Sequence, residues 1–317
     1  MLLVRPCRSA LLILVIAVNA GCGGSDKLTG PDKQVPAPNY VRLQSDAGDY
    51  IGDGRSYAYD QANAVIGVVA SEGSLTVSVN GDESWYGLFQ TTAAASQLVR
   101  GTYPDGIDWF GEGRGCGGQS GALTIDSVTY VAGALTQVDL RFEQRCNGFT
   151  AALHGTIHWR ADDTTKPPGP LRPIPTGLWQ PPGAIPAGNY LYLQSEAGDF
   201  IGSGFTYSYD QGISVSSSGN RMSIAVADWA GDFEAMNVLD HFEQGYYGGL
   251  HRFPFNNPTK GGLSWIGNGR GCNTLTGWYA IDQITYSGTS ITSIDLRFEQ
   301  HCEGGTAALR GVVHWRA

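Results

Sequence analysis

Two copies of one cysteine-bearing phrase lie in this chain, and they constrain its fold more than any other feature. The first begins at Gly113 with Gly-Arg-Gly-Cys and ends at Cys146 after Asp-Leu-Arg-Phe-Glu-Gln-Arg. The second begins at Gly269 and ends at Cys302 after Asp-Leu-Arg-Phe-Glu-Gln-His. In each copy the two cysteines lie 30 positions apart, and both copies close on His-Trp-Arg-Ala. The repetition predicts two homologous domains, at residues 39–161 and 189–317.

Alternation of apolar and polar residues marks strands in both copies. Ser74–Asn80 alternates strictly, which places Leu75, Val77 and Val79 on one face. Longer strands are predicted at residues 122–130, 137–144 and 151–160, and at 278–286, 293–300 and 307–316. Charged residues make up only 15% of the chain, which favours sheets joined by turns over helix bundles. The sequence therefore predicts an all-β protein with two tandem β-sandwich domains of the jelly-roll type.

The first 21 residues have the pattern of an export signal. Arg5 and Arg8 precede an apolar core at residues 10–18, which is too short to span a bilayer. The core ends in Asn19-Ala-Gly-Cys22, which resembles the lipobox of bacterial lipoproteins, although Asn19 stands where that pattern prefers an aliphatic residue. The resemblance implies that Cys22 is acylated and that residues 22–38 tether an exported protein to a membrane, facing the periplasm or the exterior. An ordinary secretory signal is the alternative.

The cysteines outside the signal form one pair in each repeat. In an exported, oxidising setting this spacing predicts the disulfides Cys116–Cys146 and Cys272–Cys302. Zinc is the competing interpretation, but neither pair lies near a CxxC motif or a pair of histidines.

The charge balance excludes one class of partner. Removal of the signal takes away Arg5 and Arg8 and no acidic residue, so the net charge falls from −9 to −11. An acidic chain lacks the positive surface that nucleic acids require. The lipid anchor is the only membrane contact that we expect.

A proline-rich segment separates the repeats. Residues 162–188 contain eight of the fifteen prolines, which predicts an extended, semi-rigid linker that holds the domains apart. Trp179 is the exception in this segment, because its ring is suited to docking on a neighbouring surface.

The two repeats also resemble a known type of domain. The phrases Gly-Asp-Tyr-Ile-Gly at residues 48–52, Gly-Arg-Gly-Cys-Asn-Thr-Leu-Thr-Gly at 269–277 and Phe-Glu-Gln-His-Cys-Glu-Gly-Gly at 298–305 are similar to a repeat domain of exported bacterial proteins. The first copy departs from this pattern at residues 117–120 and 145–149. The resemblance implies an extracytoplasmic all-β domain and no particular chemistry.

A row of charged residues precedes the last cysteine of each repeat. Alternation places Asp139, Arg141 and Glu143 on one strand face, and Asp295, Arg297 and Glu299 on its counterpart. Together with a histidine such as His158, two carboxylates can act as an acid–base pair. We favour a solvated sheet face held by cross-strand ion pairs. No catalytic residue is predicted, since the chain contains neither a nucleophile turn nor a phosphate-binding loop.

Carboxylates near the start of the first repeat suggest one cofactor. Asp46, Asp49 and Asp53 lie among glycines, and oxygen-rich loops of this kind can hold calcium. The spacing is not that of an EF-hand, and a tight turn that needs positive φ explains the same glycines. Calcium is the only cofactor that the sequence suggests.

Aromatic residues flanked by glycines are the remaining candidates for a binding site. We expect rings in such turn-like regions to be exposed, so that they can stack on sugars or anchor a protein partner. The rings are Trp85, Trp109, Phe110, Trp229, Tyr246, Tyr247 and Trp265. Of these, Trp109, Trp265, Tyr246 and Tyr247 are the candidate ligand-binding residues.

The sequence thus favours a non-catalytic envelope lipoprotein with two tandem binding modules for glycan or another surface polymer. Two linked sites gain avidity when both engage the same polymer. A structural or protein-interaction component of the envelope is the alternative. A hydrolase that uses the carboxylate and histidine face is the third hypothesis.

Overall fold

The computed structural model describes residues 37–91, 96–183 and 186–317. Within these ranges every regular element is a strand and there is no helix, hence none long and apolar enough to cross a membrane. The predicted signal, the acylation site Cys22 and all but the last two residues of the predicted tether lie outside the described residues.

Each repeat contributes ten strands. Those of the first repeat are β1 (Tyr40–Ser45), β2 (Ser56–Asp60), β3 (Val65–Ser71), β4 (Ser74–Asn80), β5 (Ser84–Gln90), β6 (Gly101–Pro104), β7 (Ile107–Gly111), β8 (Gln119–Val131), β9 (Ala134–Cys146) and β10 (Leu153–Arg160). Those of the second are β11 (Tyr190–Ser195), β12 (Thr206–Tyr209), β13 (Ser214–Ser218), β14 (Arg221–Val226), β15 (Trp229–Glu234), β16 (Gly245–Arg252), β17 (Gly262–Gly267), β18 (Leu275–Ser287), β19 (Ser290–Cys302) and β20 (Leu309–Arg316).

The first repeat is a sandwich of two antiparallel sheets. The larger sheet has the order β2-β1-β10-β9-β8-β6, and the smaller has the order β3-β4-β5-β7. Their inner faces meet in an aromatic core, in which the Phe142 ring lies 5.5 Å from Phe89 and 5.2 Å from Trp109 between centroids. The predicted all-β sandwich is confirmed.

The second repeat has the same two layers with one added connection. Its Phe298 ring lies 4.8 Å from Trp265 and 6.0 Å from Phe233, which matches the core of the first repeat. The two layers join into a single ten-stranded order, β12-β11-β20-β19-β18-β16-β17-β15-β14-β13. A short parallel pairing of β16 with β17 makes the join. β16 has eight residues where its counterpart β6 has four, so its far end reaches β17.

Both predicted disulfides are present. Cys116 bonds to Cys146 and Cys272 bonds to Cys302, with Cα atoms 5.1 and 5.2 Å apart. In each repeat the bond ties the loop before the first long strand of a hairpin, β8 or β18, to the end of the second. The disulfides indicate that the chain folds in an oxidising, extracytoplasmic compartment.

The proline-rich segment is docked on the second repeat, and the prediction that it holds the repeats apart is wrong. Leu171 and Tyr246 exchange two backbone hydrogen bonds, of 2.9 and 3.0 Å. The Trp179 ring stacks on Tyr192 with centroids 6.5 Å apart, and Arg297 donates to the Trp179 carbonyl at 2.9 Å. These contacts offset the entropy lost when the segment is ordered.

The two repeats also contact one another, and residues 38–317 form one compact unit. Asn257, in the connection between β16 and β17, donates to the Asn63 carbonyl at 2.9 Å and to Asp82 at 3.1 Å. Lys260 lies 2.6 Å from the other Asp82 oxygen. We call Asn63, Asp82, Asn257 and Lys260 the inter-repeat contact.

Candidate functional site

Three of the four aromatic side chains predicted to bind ligand are buried. Trp109, Trp265 and Tyr247 are each 0% exposed, so the prediction that they form a surface site is wrong. Alternation along β7 and β17 turns both indoles into the core. A cross-strand glycine makes room for each ring, because a Cβ at Gly87 or Gly231 would lie 2.4 or 2.1 Å from it.

The fourth ring, that of Tyr246, is half-buried beside the linker. It lies 6.0 Å from Trp278 between centroids, while its backbone is bonded to Leu171. Tyr246 therefore helps to seat the linker.

The predicted calcium ligand Asp49 is used inside a turn. Its side chain is almost fully buried and accepts hydrogen bonds from the Ser45 hydroxyl and the Gly52 amide, both at 2.7 Å. Asp199 repeats this arrangement in the second repeat with the same two distances. In each turn the carboxylate therefore accepts hydrogen bonds from backbone N–H groups that have no carbonyl partner within the turn.

The other two predicted calcium ligands face different partners. Asp46 accepts from the Ala152 amide at 3.1 Å and lies 3.5 Å from His154, whereas the exposed Asp53 pairs with Arg55 at 3.3 Å. Among the described residues, no group of three or more His, Cys, Asp or Glu side chains can hold a metal ion. The aspartates therefore do not form the oxygen cage that the sequence suggested.

In both repeats the charged rows contact a histidine on the neighbouring strand. His158 lies 2.5 Å from Asp139, and His314 lies 2.6 Å from Asp295. Burial raises the pKa of Asp139, but hydrogen bonds from Ser127 and His158 outweigh burial and hold the pKa below its usual value. A carboxylate that stays ionised at neutral pH suits an ion pair better than proton donation.

Glu299 is held in a similar way. Burial raises its pKa, yet the hydrogen bonds from Arg310 and Trp278 outweigh burial and leave the pKa lowered. Nearby, Arg297 is only 5% exposed and donates twice to Asp282, at 2.7 Å each. We expected a solvated row, but in the second repeat the linker lies against it at Arg297.

An outward-facing aromatic pair lies on the smaller sheet of the first repeat. Tyr86 on β5 is directly opposite Phe110 on β7, and their ring centroids are 5.5 Å apart with planes inclined by 41°. Tyr86 is 40% exposed and Phe110 is half-buried. Exposed aliphatic side chains lie on the same sheet face, Leu88 on β5 and two valines on β3, beyond β4. We call Val65, Val69, Tyr86, Leu88 and Phe110 the aromatic face.

Small polar residues continue this surface across the sheet. Ser78 on β4 lies opposite Tyr86, and Gly67 on β3 lies opposite Ser78. A Cβ at Gly67 would be 2.6 Å from the Ser78 hydroxyl, so glycine leaves that hydroxyl accessible beside the rings. The surface thus combines apolar rings with hydrogen-bonding groups on one outer face of the sheet.

The second repeat lacks such a pair. Ala230 and Ile266 are paired across β15 and β17 as Tyr86 and Phe110 are across β5 and β7. The position equivalent to Leu88 is Asp232, which accepts a hydrogen bond from Ser223 at 2.6 Å. The two repeats share a fold but present different outer surfaces. The second repeat therefore serves as a control for the aromatic face of the first.

The sequence contained a signal for Tyr86 that we did not use. Ser84–Gln90 alternates strictly, with Trp85, Gly87 and Phe89 turned inward. Tyr86 and Leu88 must then face outward. Phe110 was among the glycine-flanked aromatics, but its partner across the sheet could not be read from sequence without the order of the strands.

No protein-family model, curated protein or solved structure matches the chain.

Proposed function

We propose that this protein is a non-catalytic envelope lipoprotein whose first repeat binds glycan through the aromatic face. The observation that carries the proposal is the exposed Tyr86–Phe110 pair, placed where the second repeat has Ala230 and Ile266. Aromatic rings usually pack in the core of a domain, whereas these two rings lie on the outer face of the sheet.

The chemistry of the face suits a sugar polymer. Aromatic rings bury apolar area at a small entropy cost, and sugar rings present apolar C–H faces that stack on them. Ser78 lies opposite Tyr86 and Thr76 lies opposite Leu88 on the same face, so their hydroxyls can bond sugar hydroxyls. An open sheet face suits an extended chain better than a small molecule, which binds in a concave pocket.

The anchor belongs to the same proposal. Acylation of Cys22 would hold the folded unit at a membrane surface, where it meets envelope polymers. We expect Cys22→Ser to move the protein from the membrane fraction to the soluble fraction of the compartment. Unchanged fractionation of this variant would contradict the anchor while leaving glycan binding open.

A protein partner is the second candidate, and the aliphatic part of the aromatic face favours it. Val69 is 65% exposed and Leu88 is 40% exposed, and they lie on the same sheet face on either side of Thr76. Exposed apolar side chains on one surface often mark protein interfaces. A structural role in the envelope would use this surface to pack against another protein.

A glycan array probed with the mature chain, lacking its lipid, separates the candidates. Glycan binding supports the proposal if the variant Tyr86→Ala/Phe110→Ile, which copies the second repeat, loses it by about tenfold or more. Binding that survives this double substitution contradicts the assignment of the face. Silence on all glycans, together with a defined envelope protein crosslinked through residue 86, favours the second candidate.

A further inference from the structure

A pocket with cationic and aromatic walls lies in the second repeat, away from the aromatic face. It has a volume of about 320 Å³ and lies where the connection 253–261 meets the start of β18. Its walls include His251, Arg252, Phe255, Thr274 and Leu275. The first repeat has only residues 105 and 106 in the equivalent connection, so it has no counterpart of Phe255.

Arg252 has hydrogen-bonding capacity to spare. Its one hydrogen bond in the described part of the chain goes from Nη1 to the Asn273 carbonyl, at 3.4 Å. Four other arginines of the second repeat lie within 4.0 Å of a carboxylate; they are Arg221, Arg297, Arg310 and Arg316. No carboxylate of the described residues pairs with Arg252 in this way. A guanidinium with free N–H groups is suited to a planar carboxylate, which it can bind through two parallel hydrogen bonds.

Phe255 supplies the second element of the pocket. Its side chain is 73% exposed, and the Arg252 guanidinium carbon lies 5.2 Å from its ring centroid. The cation–π contact orients the guanidinium beside the ring. An exposed ring next to an available guanidinium fits a ligand that has an apolar face and an acidic group.

An acidic side chain, Glu303, also lies beside the pocket. It accepts hydrogen bonds from the Asn273 amide at 2.5 Å and from the Thr274 hydroxyl at 3.1 Å. Those bonds hold its carboxylate on the loop 273–274 rather than on Arg252. Arg252 is therefore the lining residue that offers a permanent, unpaired positive charge to a ligand, with the ionised Glu303 carboxylate at the edge of the pocket.

A cavity of the first repeat has acidic walls instead. It has about 300 Å³, lies between the ends of β4, β5 and β7, and is lined by Asp105 and Asp108. Carboxylates there repel an anionic ligand. Discrimination between acidic and neutral sugars would therefore come from the second repeat alone.

We propose that the Arg252–Phe255 pocket binds the carboxylate-bearing ring of an acidic glycan, with Phe255 against the sugar face and Arg252 on the carboxylate. This inference rests on the proposed glycan-binding function and specifies its ligand class. The pocket then selects a uronic acid within the polymer. The aromatic face holds the polymer by stacking, and the carboxylate of Asp108, opposite Leu88 on that face, gives it no preference for acidic sugars.

Titration calorimetry with matched acid and ester ligands tests the proposal. The probes are oligomers of galacturonate, of mannuronate and of hyaluronan, each beside its methyl-esterified form, and the protein is the whole mature chain with both disulfides. We expect at least one acid form to bind about tenfold tighter than its ester, and Arg252→Gln to remove that preference. Phe255→Ala should weaken both forms, and Arg141→Gln, an exposed arginine on the first repeat, should change neither.

The outcomes separate the two proposals. If acid and ester bind equally, or if Arg252→Gln keeps the preference, the pocket assignment is overturned while glycan binding stands. An acid preference that depends on Arg252 supports the pocket, and if Tyr86→Ala/Phe110→Ile also leaves the affinity for acid and ester forms unchanged, the aromatic face is contradicted while the pocket stands. If no acid, ester or neutral glycan binds, both proposals fail.

Discussion

A buried glutamine amide holds the backbone of the central tryptophan in each repeat. Gln144 accepts from the Trp109 amide at 2.6 Å and donates to the Trp109 carbonyl at 2.8 Å. Gln300 makes the same two bonds to Trp265, at 2.9 and 2.8 Å. At Trp109 and Trp265, β7 and β17 have no strand partner on the side of the disulfide-tied hairpin. The glutamine side chain therefore bonds the tryptophan N–H and C=O, which a neighbouring strand would otherwise pair.

Removing this amide should cost more than an average substitution. Gln144→Ala leaves the buried N–H and C=O of Trp109 without partners and opens a cavity, so we expect a loss of about 2–4 kcal/mol in the free energy of unfolding. Chemical denaturation with the disulfides intact measures it. Gln90→Ala, at an exposed position on β5, should change the free energy by less than about 0.5 kcal/mol. Equal effects of the two substitutions would contradict the role of the amide.

At the scale of single residues, the sequence predicted which cysteines pair better than it predicted which aromatic side chains are exposed. The cysteine pairs followed from spacing and compartment alone. The burial of Trp109 and Trp265 did not, because the glycines that accommodate the rings, Gly87 and Gly231, lie on a different strand. Glycines near the tryptophans in sequence predict turns and exposed rings. The glycines that allow the rings to be buried are instead their cross-strand neighbours, which only the strand order reveals.

The linker acts as a further structural element of the second repeat. Trp179 stacks on Tyr192, its indole N–H donates to Gln194 at 3.1 Å, and its carbonyl accepts from Arg297. The proline content correctly marked the absence of regular structure but did not reveal where the segment lies. The position of the middle of the linker depends on contacts of Trp179 with Tyr192 and Arg297. These residues are remote from one another in sequence, so the sequence did not reveal the contacts.

Trp179→Ala should release the middle of the linker without unfolding either repeat. Loss of the stack and of the indole hydrogen bond removes about 1–3 kcal/mol of local docking energy. We expect limited proteolysis within residues 176–183 by a nonspecific protease to accelerate by about tenfold or more, with β9 still resistant to cleavage. Lys166→Ala, at an exposed linker position, should leave the pattern as it is. Equal protection in the Trp179 variant would show that other contacts hold the segment.

Strand positions were largely predictable and the sheet order was not. β4 matches the predicted strand at residues 74–80, and β8 and β9 extend the predicted strands by a few residues at each end. The joining of β16 to β17 depends on residues 253–261, which have no counterpart in the first repeat to compare with. The same insertion supplies Phe255 and half of the inter-repeat contact.

The whole molecule is held together by a small polar contact rather than separated by a rigid spacer. Asn257 is 2% exposed and bridges Asn63 and Asp82, while Lys260 pairs with Asp82 nearer the surface. A partly exposed ion pair stabilises by about 0–1 kcal/mol, and losing a buried amide's bonds costs about 1–3 kcal/mol. Asn257 should therefore matter more than Lys260.

We expect Asn257→Ala to separate the repeats and Lys260→Gln to loosen them only slightly. Small-angle X-ray scattering should show a larger radius of gyration for Asn257→Ala than for the unmodified chain. Asn237→Ala, at an exposed asparagine outside the contact, is the control. The compact arrangement is contradicted if the unmodified chain already scatters as two separated bodies.

Acid should weaken the same contact. Burial raises the pKa of Asp82, but hydrogen bonds from Lys260 and Asn257 outweigh burial, so the pKa lies below its ordinary value of 3.8. Asp82 therefore supports docking at pH values above 3.8, and the support is lost as the pH falls through the lower folded-state value. We expect the radius of gyration to rise over that range in the unmodified chain. Asp82→Asn should remove this pH dependence, and a persisting dependence would point to another group.

Exchange of the outer surfaces between the repeats tests the central claim most directly. One variant carries Tyr86→Ala and Phe110→Ile, and a second adds Ala230→Tyr and Ile266→Phe to the first. Affinity for a glycan that the unmodified chain binds is then measured by calorimetry. We predict a loss of about tenfold or more in the first variant and recovery of binding in the second. Unchanged binding in the first variant would contradict the claim that the aromatic face carries the function.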